Sequence, residues 1–134
     1  MHRILLLAAM LFTLINPLSA FAGPEGVYSV QGTNPGNKGS YSGTVAVERN
    51  GDTYVVAWDI GGTQYVGTGL GAANVKGTFT MGPANQDDIA LAVSYVSGKS
   101  FGQAFYVEQE DGTWKGIWAY GGARQIGSET WTPQ

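Results

Sequence analysis

Apolar and polar residues alternate along most of the chain from residue 26 onward, and short turn sequences interrupt the alternation at regular intervals. A period of two is typical of half-buried β-strands, and no stretch after residue 22 has the period of a helix. Turn sequences suited to tight hairpins, such as Asn50-Gly51-Asp52 and Asp111-Gly112, separate consecutive strands. The predicted strands are 26–33, 41–49, 53–60, 64–72, 88–96, 100–109, 113–120 and 124–132.

The chain contains an internal repeat with an offset of 60 residues. Residues 40–68 align without a gap on residues 100–128, and eight of the 29 aligned pairs are identical. About two identities are expected from average composition. Each copy has the same order of features: a strand, a hairpin, an aromatic strand, a double glycine and a further strand. With one strand added before each copy, the sequence predicts a duplicated four-strand unit.

These eight strands predict an all-β fold, an antiparallel up-and-down meander that is closed or nearly closed into a barrel. Closure removes every unpaired strand edge, and an eight-stranded barrel is either filled by its own side chains or holds one small ligand. The alternative is a two-sheet β-sandwich, in which the halves cover each other's apolar faces.

Residues 73–87 interrupt the symmetry. Within them, 74–81 alternates and predicts an extra strand or half of a hairpin.

The alternation also predicts which side chains face the interior. Tyr54 and Trp58 share one face of their strand, and Trp114 and Trp118 take the matching positions in the second copy. In the strands before these two, the repeat assigns inward positions to Val45, Val47, Phe105 and Val107. A further inward row comprises Ile89, Leu91, Val93 and Tyr95. Glu48 and Glu108 are then expected to point to solvent at the start of each hairpin.

Two interpretations of the inward aromatic side chains are open. In the first they are core residues, as a duplicated core requires. In the second they line a ligand cavity, which requires a barrel that its own side chains do not fill. The candidate ligand-binding residues are then Tyr54, Trp58, Trp114, Trp118 and Arg124.

The first 22 residues form a separate predicted segment. Arg3 precedes an apolar stretch of 12 residues, 4–15, and the segment ends in Ala20-Phe21-Ala22. A basic start, a short apolar stretch and a small-residue ending describe a cleaved secretory signal peptide, because a membrane-spanning helix needs about 20 apolar residues. The sequence therefore predicts an exported protein, periplasmic or secreted, that is not inserted in the membrane after cleavage. Residues 23–134 are the predicted single β-barrel domain.

The composition of residues 23–134 restricts the chemistry. The chain has no cysteine, and its one histidine is His2, in the predicted signal peptide. Histidine-based nucleophilic sites and nearly all zinc and copper sites need these residues, so we predict no enzyme activity, no metal and no cofactor. Loss of Arg3 with the signal peptide changes the formal net charge from −3 to −4, and the remaining basic residues are scattered. Nucleic acid is therefore not an expected partner.

Several stretches resemble a family of small exported proteins of Gram-negative bacteria, some of which carry a fibronectin-binding label. The matching stretches are GVYSVQGTNP at 26–35, YSGT at 41–44, GDTYVVAW at 51–58 and GSETWTP at 127–133. The resemblance implies export in a Gram-negative bacterium and assigns no functional residues. Gly26-Val27-Tyr28 and Arg124 are also similar to the lipocalin and avidin superfamily, in which a Gly-x-Trp start packs against a late basic residue. This second similarity implies a barrel.

The predicted function is non-catalytic binding, with two alternatives. The first is recognition of a protein partner through the surface or loops, as an adhesin-like or inhibitor-like protein, with 73–87 as a contact segment. The second is binding of a small apolar or aromatic ligand in the barrel interior. A filled core favours the first, and a void lined by Trp58 and Trp118 favours the second. A hydrolase with paired carboxylates is a distant third, with Asp59 and Glu129 as the acidic residues whose burial is open.

Overall fold

Residues 23–134, which the computed structural model describes, form a single all-β unit. Within them nine strands are present: β1 (Gly26–Thr33), β2 (Ser40–Asn50), β3 (Thr53–Ile60), β4 (Thr63–Val75), β5 (Thr78–Gly82), β6 (Asp88–Ser97), β7 (Ser100–Glu108), β8 (Trp114–Tyr120) and β9 (Gly127–Pro133). Eight of these strands close into an antiparallel barrel in the order β1-β2-β3-β4-β6-β7-β8-β9, with β9 paired to β1. The predicted meander barrel is confirmed, and the sandwich is wrong. The predicted signal peptide, 1–22, lies outside the described residues.

The strand boundaries follow the predicted turns closely. β1 and β3 coincide with the predicted strands 26–33 and 53–60. Between β3 and β4, Gly61 and Gly62 have φ values of 58° and 84°, the left-handed conformation that a two-residue hairpin loop requires. β9 begins at Gly127, three residues later than predicted, so that Arg124 lies in the loop before it. None of the helical segments in this part of the chain has the length and apolarity that a membrane crossing requires.

The segment that interrupts the repeat forms a hairpin followed by a plug. β4 continues past the barrel and pairs with β5, which confirms the predicted half-hairpin. Residues 83–87 then fold beneath the barrel, where Ala84 is 3% exposed and its N–H donates a hydrogen bond to the Asp52 carbonyl at 2.9 Å. Pro24 is buried beside them, and its carbonyl accepts a 2.8 Å hydrogen bond from the Tyr28 hydroxyl. This end of the barrel, the base, is therefore closed.

A second set of hydrogen bonds holds the plug in place. Asp88, which is buried, accepts hydrogen bonds through Oδ2 from the Tyr54 hydroxyl at 2.6 Å and from the Asn85 N–H at 2.9 Å. The Tyr54 hydroxyl also lies 2.9 Å from the Asn85 carbonyl oxygen. Burial, followed by the hydrogen bond to Asp88, raises the pKa of Tyr54 above its ordinary value. Tyr54 is thus part of the closure of the base.

The two repeat copies differ by one residue in hairpin register. In the β2–β3 hairpin Tyr54 pairs with Arg49. In the second copy the equivalent of Tyr54, Trp114, pairs with Glu108. Glu108 corresponds to Glu48 and not to Arg49, so the pairing is shifted by one residue. A slip of one residue turns every side chain of a strand to the opposite face. The inward positions of β7 are therefore Ala104 and Tyr106, which are buried.

The slip overturns three predicted orientations. Phe105 and Val107 were expected in the core, but they lie on the outer wall and are 44% and 38% exposed. Glu108 was expected in solvent, but its Oε2 atom is buried and accepts no hydrogen bond. The orientation of Glu48 is confirmed, because this residue is exposed. The inward positions of Val45 and Val47 are confirmed as well.

Aromatic side chains fill the middle and the base of the barrel. Trp114, Trp131, Tyr54 and Tyr106 are among the largest fully buried side chains. The rings of Tyr106 and Trp131 have centroids only 4.0 Å apart. A Cβ atom at Gly116 would overlap the Tyr106 ring, which explains why this inward position of β8 carries no side chain. The interior is therefore packed except at the end opposite the base.

Candidate functional site

A cavity of about 120 Å³ lies at the end of the barrel opposite the closed base. We call it the mouth cavity. Tyr65 and Tyr120 at its rim are partly exposed, so the cavity is reached from this end. Most of its wall is aromatic, and its lining residues are Asn34, Tyr41, Trp58, Ile60, Tyr65, Tyr95, Tyr106, Trp118, Tyr120 and Glu129.

Neighbouring rings in the wall stand nearly perpendicular to one another. Trp58 and Tyr95 meet at 65°, Tyr65 and Tyr95 at 76°, and Trp118 and Tyr120 at 86°, with ring centroids 5.1–6.2 Å apart. Edge-to-face contacts of this kind stabilise the rings against each other, because the positive edge of one ring meets the negative face of the next. The wall is therefore held in shape without a ligand.

Glu129 is the buried charged group of the mouth cavity, and four side chains donate hydrogen bonds to it. Its Oε1 atom accepts from the indole N–H groups of Trp58 at 3.1 Å and Trp131 at 2.8 Å, and from the Tyr106 hydroxyl at 3.1 Å. Its Oε2 atom accepts from the Tyr41 hydroxyl at 2.7 Å. These donors come from β2, β3, β7 and β9. The carboxylate thus joins four strands around the barrel.

Every hydrogen-bond partner of Glu129 is an indole N–H or a phenol O–H group. The indole N–H groups can only donate, and a carboxylate supplies the acceptor oxygens that they need. Burial, followed by the charge of Glu129, raises the pKa of Tyr106 well above its ordinary value, and the pKa of Tyr41 is raised by the same causes. Both phenols therefore keep their protons near neutral pH and remain donors to the carboxylate.

Trp118 differs from Trp58 although the repeat aligns them. The Trp118 ring packs on Gly127, where a Cβ atom would overlap the indole. Its Nε1 atom is buried without a hydrogen-bond acceptor. The Tyr41 ring lies edge-on to the Trp118 ring with centroids 6.1 Å apart, but its hydroxyl is hydrogen-bonded to Glu129. The N–H group of Trp118 is therefore a buried donor without a partner, next to Gly127.

The structure brings together only part of the predicted site. Trp58 and Trp118 line the mouth cavity, as the second interpretation of the aromatic residues expected. Tyr54 and Trp114 are fully buried near the base, about 13 Å along their strands from those tryptophans. Arg124 is exposed and is not part of the lining.

The sequence prediction did not include Glu129 or the tyrosines of the mouth cavity among the ligand-binding residues. The alternation of β9 does contain a signal, because Glu129 lies in the same inward row as Gly127 and Trp131. A charged residue in an inward row is rarely tolerated without partners. Its partners come from distant parts of the chain, which the local pattern does not connect. Asp59, the other acidic residue left open, is exposed.

Glu108, near the base, is a partly buried carboxylate. Burial raises the pKa of Glu108 to about 7. The nearby Tyr28 has its pKa raised to about 12, first by burial and then by the charge of Glu108. Within residues 23–134, no group of three or more acidic, histidine or cysteine side chains is arranged to hold a metal ion.

Comparison with known proteins adds no assignment to this geometry. No protein-family model matches the chain, and no curated protein matches it. The resemblances drawn from the sequence therefore stay predictions.

Proposed function

We propose that this protein is an exported, non-catalytic binding protein that holds a small molecule in the mouth cavity. The observation that carries the proposal is a void lined by Trp58 and Trp118 in a barrel that is otherwise filled. Small eight-stranded barrels are wide enough to be filled by side chains or to hold one small ligand. The void is the feature that distinguished the two binding alternatives, and it favours the ligand over the protein partner.

The lining of the mouth cavity supports binding of an organic molecule. Ligand cavities in proteins are mostly apolar and aromatic, with a few polar groups that orient the ligand. Here seven aromatic rings provide apolar contact, and Asn34 and Glu129 provide polarity. Burial of apolar ligand surface against such rings contributes about 25 cal/mol per Å². The closed base leaves one entry, so a bound molecule is enclosed on all sides but the rim.

The state of Glu129 supports binding without catalysis. Hydrolysis by paired carboxylates needs two acidic groups about 5–9.5 Å apart. The mouth cavity is lined by one acidic residue, and four hydrogen bonds already occupy its oxygens. Three of these hydrogen bonds go to Oε1 and one to Oε2, so the protein's own side chains fix the position of the carboxylate. Its role is to shape and charge the cavity.

The proposal is tested by NMR of protein with labelled tryptophans and a panel of compact neutral compounds that begins with phenol and indole. The chain has four tryptophans, so each indole N–H signal is assignable. We expect binding to shift the signals of Trp58 and Trp118 and to leave that of Trp114, near the base, in place. A panel in which no compound moves the Trp58 or Trp118 signal at millimolar concentration contradicts the proposal.

A pair of variants locates the binding. Tyr65→Ala removes a ring from the rim of the mouth cavity, and we expect it to weaken binding of the best probe about tenfold. Phe105→Ala removes a ring of similar size from the outer wall and is the matched control. Equal loss of affinity in both variants would place the probe outside the mouth cavity.

A second candidate function, recognition of a protein, is favoured by the β4–β5 hairpin. β5 pairs only with β4 among the described strands, and its Phe79 and Met81 side chains are 55% and 80% exposed. Unpaired edges with apolar side chains are ready to pair with another chain. The test is a pull-down from extracellular-matrix proteins and periplasmic extract. A partner retained by the native chain and lost with Phe79→Ser plus Met81→Ser supports this function, whereas recovery of nothing above background contradicts it.

A further inference from the structure

The mouth cavity carries a negative charge that no basic residue of its lining compensates. The four groups that donate to Glu129 are phenols and indoles, which are neutral. Among the residues that the structure describes, no lysine or arginine lines the cavity. Lys38, Lys99 and Arg124 lie on exposed loops at this end of the barrel. A carboxylate that is only 8% exposed among aromatic rings attracts a positive charge more strongly than it would in water.

The walls of the mouth cavity favour the same kind of ligand. The face of an aromatic ring is negative, and an ammonium group within about 6 Å of the ring centroid is attracted to it. The rings around the cavity include Trp58, Tyr65, Tyr95, Trp118 and Tyr120, and three pairs of them meet edge to face at 65–86°. Aromatic walls around a carboxylate are suited to a positively charged ligand whose own surface is apolar.

The size of the cavity restricts the head of that ligand. Its volume is about 120 Å³, and an apolar cavity of roughly 150 Å³ is known to hold benzene. A head of five or six heavy atoms therefore fits, and the remainder of a longer molecule extends through the rim. A bare metal ion fits less well, since it would have to displace the donors that already occupy both oxygens of Glu129.

We propose that the mouth cavity binds an organic cation with a compact alkylated ammonium head, of which a trimethylammonium group is the simplest example. The rings of the wall surround the head, and Glu129 supplies the opposite charge beneath it. The methyl groups contact the ring faces without needing hydrogen-bond acceptors, and the carboxylate acts through its field rather than by direct contact. This inference rests on the proposed small-molecule function and names its ligand class.

The test compares three probes on the unaltered protein by calorimetry and by the tryptophan NMR signals. Choline and tetramethylammonium carry the proposed head, and 3,3-dimethylbutan-1-ol has the shape of choline without its charge. We expect both cations to shift the signals of Trp58 and Trp118, and choline to bind at least about tenfold more tightly than the neutral alcohol.

The outcomes separate this inference from the proposed function. Equal affinity for choline and the neutral alcohol overturns the cation preference and leaves small-molecule binding in place. If none of the three probes binds while phenol or indole does, the inference is also overturned and the proposed function stands. If neither these probes nor the neutral panel binds, both are overturned.

A variant pair tests the contribution of the rings. Tyr65→Leu keeps an apolar side chain at the rim but removes the aromatic face, and we expect the affinity for choline to fall about tenfold. Phe105→Leu makes the same kind of change on the outer wall and is expected to leave the affinity unchanged. An unchanged Trp114 signal shows that each variant keeps its fold. Full choline affinity in folded Tyr65→Leu contradicts the proposed ring contacts.

Discussion

The indole N–H of Trp58 donates a hydrogen bond of 3.1 Å to the carboxylate of Glu129, although the two residues are 71 positions apart in the chain. Trp58 lies on β3 and Glu129 on β9, and β2 and β1 separate these strands in the barrel. The bond therefore crosses the interior and is not part of the sheet. The Glu129 carboxylate therefore links side chains from different strands of the cavity wall and is itself part of the cavity lining.

Replacement of Glu129 by glutamine is expected to destabilise the fold. Glu129→Gln keeps one acceptor oxygen for the tryptophans but replaces the oxygen that faces Tyr41 by an amide nitrogen, and it removes the charge that strengthens all four bonds. Loss of charge-assisted hydrogen bonds predicts a decrease of about 1–3 kcal/mol in the free energy of unfolding. Urea denaturation measures it. Glu48→Gln on the exposed face is the control, and a Glu129→Gln protein as stable as this control would show that the network adds no stability.

Addition of one methyl group at Gly127 is expected to disturb the wall of the mouth cavity. A Cβ atom there would overlap the Trp118 indole and lie 2.7 Å from the Thr33 carbonyl oxygen. Overpacking of this kind costs about 1–3 kcal/mol, and it must displace Trp118. We expect Gly127→Ala to lower the melting temperature and to move the Trp118 indole signal. Gly82→Ala meets no atom within 4 Å and serves as the control. If Gly127→Ala has the native melting temperature and the native Trp118 signal, residue 127 is not tightly packed against the Trp118 indole.

Stability is expected to fall as the pH rises through the range in which Glu108 titrates. Burial raises the pKa of Glu108 from 4.5 to about 7 in the folded chain, so between these values the folded state binds more protons than the unfolded state. The free energy of unfolding therefore decreases between pH 4.5 and pH 7 and is constant above pH 7. The total decrease is about 1–2 kcal/mol, because solvent screens the charge of this partly buried group. Urea midpoints at pH 5 and pH 8 measure the change.

A variant identifies the group responsible for that pH dependence. Glu108→Gln removes the titration, so we expect its urea midpoint to change less between pH 5 and pH 8 and to exceed that of the native chain at pH 8. Glu110→Gln, in the exposed turn of the same hairpin, should keep the native pH dependence. An unaltered slope in Glu108→Gln would assign the effect to another carboxylate.

The one-residue slip of β7 predicts a pattern of thiol reactivity opposite to that of a strict repeat. The chain has no cysteine, so a single introduced thiol is the only one present. Phe105→Cys places it on the outer wall, and Ala104→Cys places it in the interior. We expect Phe105→Cys to react with a maleimide at the rate of a free thiol and Ala104→Cys to be protected until the protein unfolds. Faster reaction of Ala104→Cys than of Phe105→Cys would mean that β7 has the pairing register that the sequence repeat implies.

Local chemistry explains why most of the fold was predictable. Glycine adopts positive φ at little cost, as Gly51, Gly61 and Gly62 do in the hairpin loops, and β1 and β3 alternate cleanly. The orientation of β7 was not predictable in the same way. Its two faces, one with Phe105 and Val107 and the other with Ala104 and Tyr106, are both apolar, so alternation does not identify the inward face. The pairing register at the adjoining hairpin decides it.

The candidate site shows the same division. Trp58 and Trp118 were predictable as inward residues because each lies on an alternating strand next to a recognisable turn. The burial of Glu129 depends on the donors Tyr41, Trp58 and Tyr106, which the barrel brings together from three other strands. The sequence pattern within a single strand does not predict contacts between residues of different strands.

By itself the sequence determined the strands, the hairpins that join them and the all-β meander, because these depend on backbone preferences and on alternation between neighbouring residues. The tertiary structure alone decided which face of β7 points inward, that residues 83–87 close the base, and that space remains at the mouth. A cavity is the small difference between the volume that the barrel encloses and the volume that its side chains fill. That difference depends on all strands at once, and no single segment of the chain determines it.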